Sequence, residues 1–239
     1  MRRLTCVVLL ALVAPAAAQT ARDRGIARVE QACKGVLMAG IDSSRENPKL
    51  ADRGDRNLEP GDPLVSAAYA QAVQRLVPVF KSSFPNDRVL ISLSSSNVVN
   101  AWTQYDWAQG TNGLHVALVC VPTAMVDFMG DEDELAFIIA HELGHAVDEG
   151  CRNYGTMQRG NKVLCEIRAD EIGYRLMRQA GYSPYAAAGA FGRIEMYIGE
   201  TQTGLVGFLA QLSSDHPITP KRIEHMRSLL IDEWRAAAR

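Results

Sequence analysis

Nowhere does the 239-residue chain carry an apolar run long enough to span a bilayer comfortably; the longest covers only residues 4–13. It also lacks a dominant charge, with 25 basic against 27 acidic residues. With no Lys/Arg run either, the basic footprint of a nucleic-acid binder is absent and electrostatic attachment to a membrane surface is unsupported. Internal repeats are absent, which excludes solenoid architectures. Cysteine spacing fits no zinc-finger pattern. Histidine is scarce, five in all, so a regularly spaced pair is informative.

The N-terminus reads MRRLTCVVLLALVAPAAAQT. Two arginines, a short apolar core and the small residues Ala16, Ala17 and Ala18 are ordered as in a secretory leader, so residues 1–18 are expected to be removed. Cys6 precedes the apolar core, whereas a lipoprotein needs its cysteine after it. The expectation is export, to a periplasm or the extracellular space, with no stable membrane insertion. Loss of Arg2 and Arg3 leaves 23 basic against 27 acidic residues, a net charge of −4. The cysteines left are Cys33, Cys120, Cys151 and Cys165, which permit three connectivities in an oxidising compartment. Cys151 and Cys165 flank one short loop and are the expected pair; closing a loop of that size stabilises by roughly 3 kcal/mol.

Along the mature chain, Ile26, Val29, Ala32, Val36 and Leu37 mark a helix within 22–40, and a polar linker follows to residue 63. A helix is predicted over 64–80, broken by Pro78. RVLISLSSS reads as a strand, and the GTNG turn before residue 114 as the bend of a hairpin or meander whose last strand spans 114–121. Helices are predicted over about 131–149, 161–179, 183–212 and 220–235. The order points to an α+β fold with most of its length in helices. The division is a leader at 1–18, a helix and linker at 19–63, and a main domain at 64–239.

The chemistry concentrates in DEDELAFIIAHELGHAVDEG. Asp131 suits a helix N-cap, Glu134 completes a capping-box pattern, and Gly150 can end the helix in a left-handed conformation. His141 and His145 stand four residues apart, one turn along one helix face, where both imidazoles can bind one ion. Zn2+, one per chain, suits two imidazoles plus a carboxylate with a fourth position left for water. Glu142 is rotated to the side, where it can activate that zinc-bound water rather than bind the metal. In the next helix Glu166 and Asp170 share a face, with Ala169 and Gly173 as small neighbours. Glu166 fits the third ligand, and Asp170 is placed to fix the tautomer of a ligand histidine. Cys165 is turned by about 100° from Glu166 and should point away from the metal.

HELGH, Glu166-Ile167-Arg168-Ala169-Asp170, Ala180-Gly181-Tyr182-Ser183-Pro184, and Ser214-Asp215-His216-Pro217 with Arg222 together resemble the HtpX-like and CaaX-prenyl-endopeptidase-like zinc metallopeptidases, from about residue 64 to the C-terminus. The resemblance implies a mainly helical zincin-like domain with a small β-sheet whose edge strand borders the active-site cleft. It implies zinc ligation by His141, His145 and Glu166, with Glu142 as general base. His216 then stabilises the oxyanion, or occupies the open metal position in latent forms, and Arg222 is a basic residue nearby. Asn97 or Asn100 is similar to an asparagine beside the cleft. The strand over 114–121, with Val116 and Leu118, resembles the edge that receives an extended substrate. An unfolded or extended protein segment, as in soluble periplasmic members tied to envelope quality control, is the implied substrate. The chain departs from the family in the long polar segment NAWTQYDWAQGTNG, in the absence of the spanning helix many relatives have, and in residues 20–60, which find no counterpart.

Competing readings are a chaperone or assembly factor that keeps a zinc site blocked by His216, and a purely structural zinc site. The second gives Glu142 no task. A serine hydrolase is disfavoured because Ser214, Asp215 and His216 are contiguous, whereas triads are assembled in space. His115 and His225 carry no spacing argument.

Overall fold

The computed structural model describes residues 63–95, 99–106, 116–151, 159–201, 216 and 218–238. The expected leader, the helix within 22–40, Asn97 and His115 lie outside them. The chain divides into two compact units: residues 86–128 form the sheet-bearing part of one, and residues 71–85 with those from Met129 onward form the other.

Among the described residues the first unit holds three strands, β1 (Arg88–Ser94), β2 (Trp102–Asp106) and β3 (Val116–Pro122), in the order β1-β3-β2. β3 runs parallel to β1, in register from Arg88↔Val116 to Ser94↔Pro122, and antiparallel to β2, from Trp102↔Cys120 to Asp106↔Val116. The expected pairing of β3 with the strand before it therefore holds, while the GTNG turn lies outside the described residues and the edge expectation fails. β3 is the central strand, with both of its backbone edges already paired. The reason is in its composition: VALVCVP is a continuous apolar run with Ala117 through Val121 all buried, the pattern of a strand covered on both faces. The alternating RVLISLS and WTQYD take the two edges. Trp102, Leu118 and Cys120 form a buried cluster with Leu90 packed against it. A short helix that the periodicity did not announce, α2 (Thr123–Met129), follows β3 and ends at Gly130, whose φ of 63° suits glycine.

The second unit is helical. Its elements are α1 (Ala67–Ser83, in this unit from Gln71), α3 (Glu132–Val147), a 3-10 turn (Glu149–Cys151), α4 (Arg159–Gln179), α5 (Ala186–Thr201) and α6 (Pro220–Ala237). Pro78 does not break α1, which continues to Ser83. Pro78 and Gln74, whose carbonyl loses its helical partner, are both exposed to water, while Leu76 and Phe80 hold the buried face on either side. The helix expected over 183–212 begins at Ala186, and residues 202–215 lie outside the described set.

The acidic first turn of α3 sets its neighbours. Asp131 caps the helix, accepting from the backbone N–H groups of Asp133 and Glu134 at 2.8 and 3.1 Å. Glu132 accepts from the Tyr182 hydroxyl at 2.8 Å and pairs with Arg75 of α1 at 3.4 Å. Asp133 accepts from the Ser183 N–H at 2.9 Å, and Glu134 takes the Arg193 Nε of α5 at 2.7 Å. Glu134 thus ties α5 to α3 instead of closing the expected capping box. α4 stops where Gly181, at φ 81°, lets the Tyr182 N–H return to the Met177 carbonyl at 3.0 Å. The AGYSP segment is placed by this turn and by those acidic side chains. Gly150, by contrast, has no positive φ: α3 ends through an extended Asp148, and the 3-10 turn follows.

Candidate metal centre

α3 and α4 approach each other closely because their contact surfaces are nearly bare. A Cβ on Gly144 would lie 2.7 Å from the Ala169 carbonyl oxygen, and one on Gly173 would lie 2.7 Å from the His141 backbone nitrogen. Leu135, Ile139 and Leu143 fill the rest of the α3 core face, and Phe137 meets Phe191 of α5 edge-on at 5.7 Å. Each fully buried aliphatic side chain contributes about 1.5–3 kcal/mol. That stability lets the interface carry His141, Glu142, His145, Glu166, Asp170 and Arg222, all buried.

Donor atoms of four residues converge there. His141 Nε2 and His145 Nε2 are 3.1 Å apart. Glu166 Oε1 is 3.3 Å from His145 Nε2, and Glu166 Oε2 is 3.5 Å from His141 Nε2. His216 Nδ1 lies 3.5 Å from His141 Nε2 and 3.2 Å from Glu166 Oε2. Ligands bound at 2.0–2.1 Å around a tetrahedral ion stand about 3.3–3.4 Å apart, so the spacing suits zinc. Glu166 Oε1 is buried and faces His145 Nε2, an arrangement that a cation held between them would satisfy. These four residues could hold a metal ion.

The supporting groups fix how those donors point. Asp170 Oδ1 lies 2.9 Å from His141 Nδ1, which keeps a proton on that nitrogen and turns the Nε2 lone pair toward the cluster. Arg222 grips Asp170 with two parallel bonds, Nε to Oδ2 at 2.8 Å and Nη2 to Oδ1 at 2.7 Å. Its Nη1 reaches Glu166 Oε2 at 2.9 Å, and its guanidinium lies 5.0 Å over the Phe191 ring. Arg222 is delivered by the first turn of α6, where Pro220 opens the helix and Thr219 caps it by accepting from the Arg222 N–H at 3.3 Å. Glu142 is buried beside the cluster, its Oε1 3.6 Å from His216 Nε2.

Electrostatics follow from this packing. Burial pushes the Glu166 and Asp170 carboxyls up, but His216 and the two other imidazoles hold Glu166 well below the usual range, and Arg222 with His141 lowers Asp170. Burial disfavours charge on His141, yet Asp170 and Glu166 outweigh it and raise its pKa to about 10. Burial likewise opposes charge on His216, but Glu166 and Glu142 raise it, while burial lowers His145. The ionised carboxylates draw positive charge into the cluster, a demand that a divalent cation meets.

Of the residues read from the sequence, His141, His145, Glu142, Glu166, Asp170, His216 and Arg222 come together here. Asn100 lies just before β2 in the other unit, and Val116 and Leu118 lie on the central strand, where no substrate strand can add. Leu118 is instead part of the sheet core. Spacing did not reveal that Arg222 bridges both carboxylates; the signal available was a lone arginine just inside a Pro-initiated helix. His225 stands apart, 3.9 Å from Glu171.

Cys151 and Cys165 form the expected disulfide, with Cα atoms 5.7 Å apart, so neither sulfur serves as a thiolate ligand. No helix among the described residues is long and apolar enough to cross a membrane. The model of Peptidase family M48 matches residues 63–165 and 156–230. No curated protein matches the chain. With the match extending over well more than half of its length and a His/Glu cluster able to hold the metal, this chain belongs to Peptidase family M48 and is a zinc metallopeptidase.

Proposed function

We propose that the chain is an exported endopeptidase that cuts unfolded or extended protein segments, with His141, His145 and Glu166 as the zinc ligands and Glu142 as the general base. The observation that carries the ligand assignment is the convergence of three buried side chains whose donor atoms lie 3.1–3.5 Å from one another. Zinc, when bound, supplies a Lewis acid that polarises the scissile carbonyl and acidifies water. Glu142 takes a proton from the attacking water as its oxygen adds to the carbonyl carbon, and returns that proton to the nitrogen as the C–N bond breaks. His216 holds its proton between Glu166 and Glu142 and donates toward the oxygen that gains negative charge. Asp170 and Arg222 orient His141 and Glu166 without touching substrate. Export is supported by the leader-like residues 1–18 and by the Cys151–Cys165 bridge, since disulfides persist in oxidising compartments. The resemblance to envelope quality-control peptidases supports the substrate class.

A second reading has its own observation. His216 Nδ1 stands close enough to His141 and Glu166 to complete a four-donor set, which fits a latent enzyme or a chaperone with a blocked metal. One experiment separates the two: cleavage of an unfolded protein by the mature chain, beside Glu142→Gln and a chelated sample. Activity lost in both controls supports the peptidase. An inactive wild type with zinc bound, which suppresses aggregation equally well as Glu142→Gln, supports the chaperone.

A further inference from the structure

The structure assigns to the Cys151–Cys165 disulfide a positioning role at the metal centre: it holds the Glu166 end of α4 against the His145 end of α3, and metal retention depends on it. The inference rests on the ligand set proposed above.

The argument is one of brackets. Three of the points that join the segment around α3 to α4 act on the backbone itself. At the first, His141 backbone meets Gly173; at the second, Gly144 meets Ala169. Both are bare-backbone contacts that fix the helix separation. The third is the covalent bond between Cys151, in the 3-10 turn that follows α3, and Cys165, in α4. His145 and Glu166 lie between the second point and the third. His145 is one residue past Gly144, and Glu166 is one residue past Cys165 toward Ala169. The pair whose donor atoms stand 3.3 Å apart is therefore held on one side by the glycine contact and on the other by the disulfide.

Beside the bridge, the described turn is tied to α4 by a solvent-exposed side-chain pair. α3 gives way at Asp148 to extended backbone, its N–H returning to the His145 carbonyl at 3.3 Å. Asp148 accepts from the Gly150 N–H at 3.0 Å, a bond within the turn itself, and its link to α4 is Arg168 at 3.5 Å, with that arginine side chain more than half exposed. Such a pair is weak in water. Both bridged cysteines are buried, so the bond is packed into the protein next to the ligands. Arg222 restrains Glu166 through Oε2 but leaves Oε1, the atom facing His145, to be set by the helix position. Without the bridge, the α4 backbone at residue 165 is free to move away from the α3 end, and Glu166 Oε1 moves with it.

The test is zinc affinity of the folded mature chain, measured by competition with a chromophoric chelator, for wild type, Cys151→Ser/Cys165→Ser, Arg75→Ala and His145→Ala. Loss of groups that orient metal ligands costs about 10–100-fold in affinity, so the double serine variant is expected to bind zinc in that measure more weakly. Arg75→Ala removes a surface tie of α1 to Glu132 and Ala180; it is expected to lower the unfolding temperature while leaving zinc affinity unchanged. A double serine variant that folds and binds zinc within twofold of wild type overturns the proposal. Should that variant not fold, folded zinc-loaded wild type is treated with a trialkylphosphine, which unlike a dithiol does not chelate zinc. The phosphine gives two electrons to the S–S bond and takes the oxygen of a water molecule, whose two protons leave two cysteine thiols beside the phosphine oxide. Zinc release that rises with alkylation of Cys165 supports the proposal; alkylation of Cys165 without faster release overturns it. Wild-type affinity in His145→Ala would instead overturn the ligand assignment, a separate failure.

Discussion

Arg222 is the residue whose loss the geometry prices most clearly. It is buried, as are the two carboxylates it joins, and it makes three contacts of 2.7–2.9 Å with them. Arg222→Met keeps most of the side-chain volume and removes the charge, leaving Asp170 and Glu166 as buried anions with one fewer partner. Breaking a buried ion pair from one side costs about 3–5 kcal/mol, and at 2–4 °C per kcal/mol for a chain of this size the unfolding temperature should fall by about 6–20 °C. The assay is thermal unfolding of the metal-free protein at neutral pH. Two further arms test the cause. Asp170→Asn in the Arg222→Met background removes one stranded charge and should recover at least about 1 kcal/mol, a coupling typical of contacting residues. The pH dependence follows from sign. Asp170 and Glu166 have folded pKa values below their ordinary 3.8 and 4.5, so the stability they contribute is present above those values and is lost as pH falls through the folded ones. The gap between wild type and Arg222→Met should therefore shrink in acid. A loss under about 1 kcal/mol at neutral pH, or one that persists unchanged in acid, would refute the reasoning.

Three other outcomes are expected. His141 has a pKa raised from 6.5 to about 10 in the metal-free site, so its contribution to stability is complete below 6.5 and disappears as pH rises through about 10. Metal-free protein should lose stability across that window, by denaturant titration, while zinc-loaded protein, in which the proton on the ligating nitrogen would be released to solvent, should not. Gly173→Ala puts a methyl 2.7 Å from the His141 backbone nitrogen; overpacking of about 1–3 kcal/mol outweighs the gain of about 1 kcal/mol in helix propensity, and zinc affinity falls too. Gly192→Ala on α5, where nothing lies within 4 Å of the added carbon, serves as the contrast and should stabilise by up to about 1 kcal/mol. Glu142→Gln should bind zinc as wild type does and lose about 10²–10⁴-fold in peptide cleavage; equal loss of zinc would mean that Glu142 supports the metal rather than the water.

What the sequence revealed and what it hid divide along a physical line. Local chemistry was legible: two histidines one turn apart, an acidic pair one turn apart on the next helix, an aspartate at an N-cap and two cysteines around one short loop each depend on spacing along a single segment or the next, and each stands where its spacing put it. Properties set by partners far along the chain were not legible. The strand over 114–121 was placed correctly yet given the wrong neighbours, because hydropathy says that both faces of VALVCVP are covered but not which strands flank it. Pro78 was read as a stop because its rule concerns the helix alone, whereas burial of Leu76 and Phe80 and the exposed position of Pro78 decide the outcome. Glu134 matched a capping box and went to Arg193 instead, since a charged partner on another helix competes with a backbone N–H. Arg222 shows the same limit at the site itself. A position 52 residues beyond Asp170 carries no periodic signal, yet once α6 packs on α4 it pairs with both buried carboxylates of that helix. The metal-binding face of α3 can thus be read from five consecutive residues, but the charge balance that keeps it folded belongs to the tertiary structure. Substitutions at Arg222 and Asp170 should for that reason be coupled to one another more strongly than either is to His145, whose own lowered pKa is set first by burial.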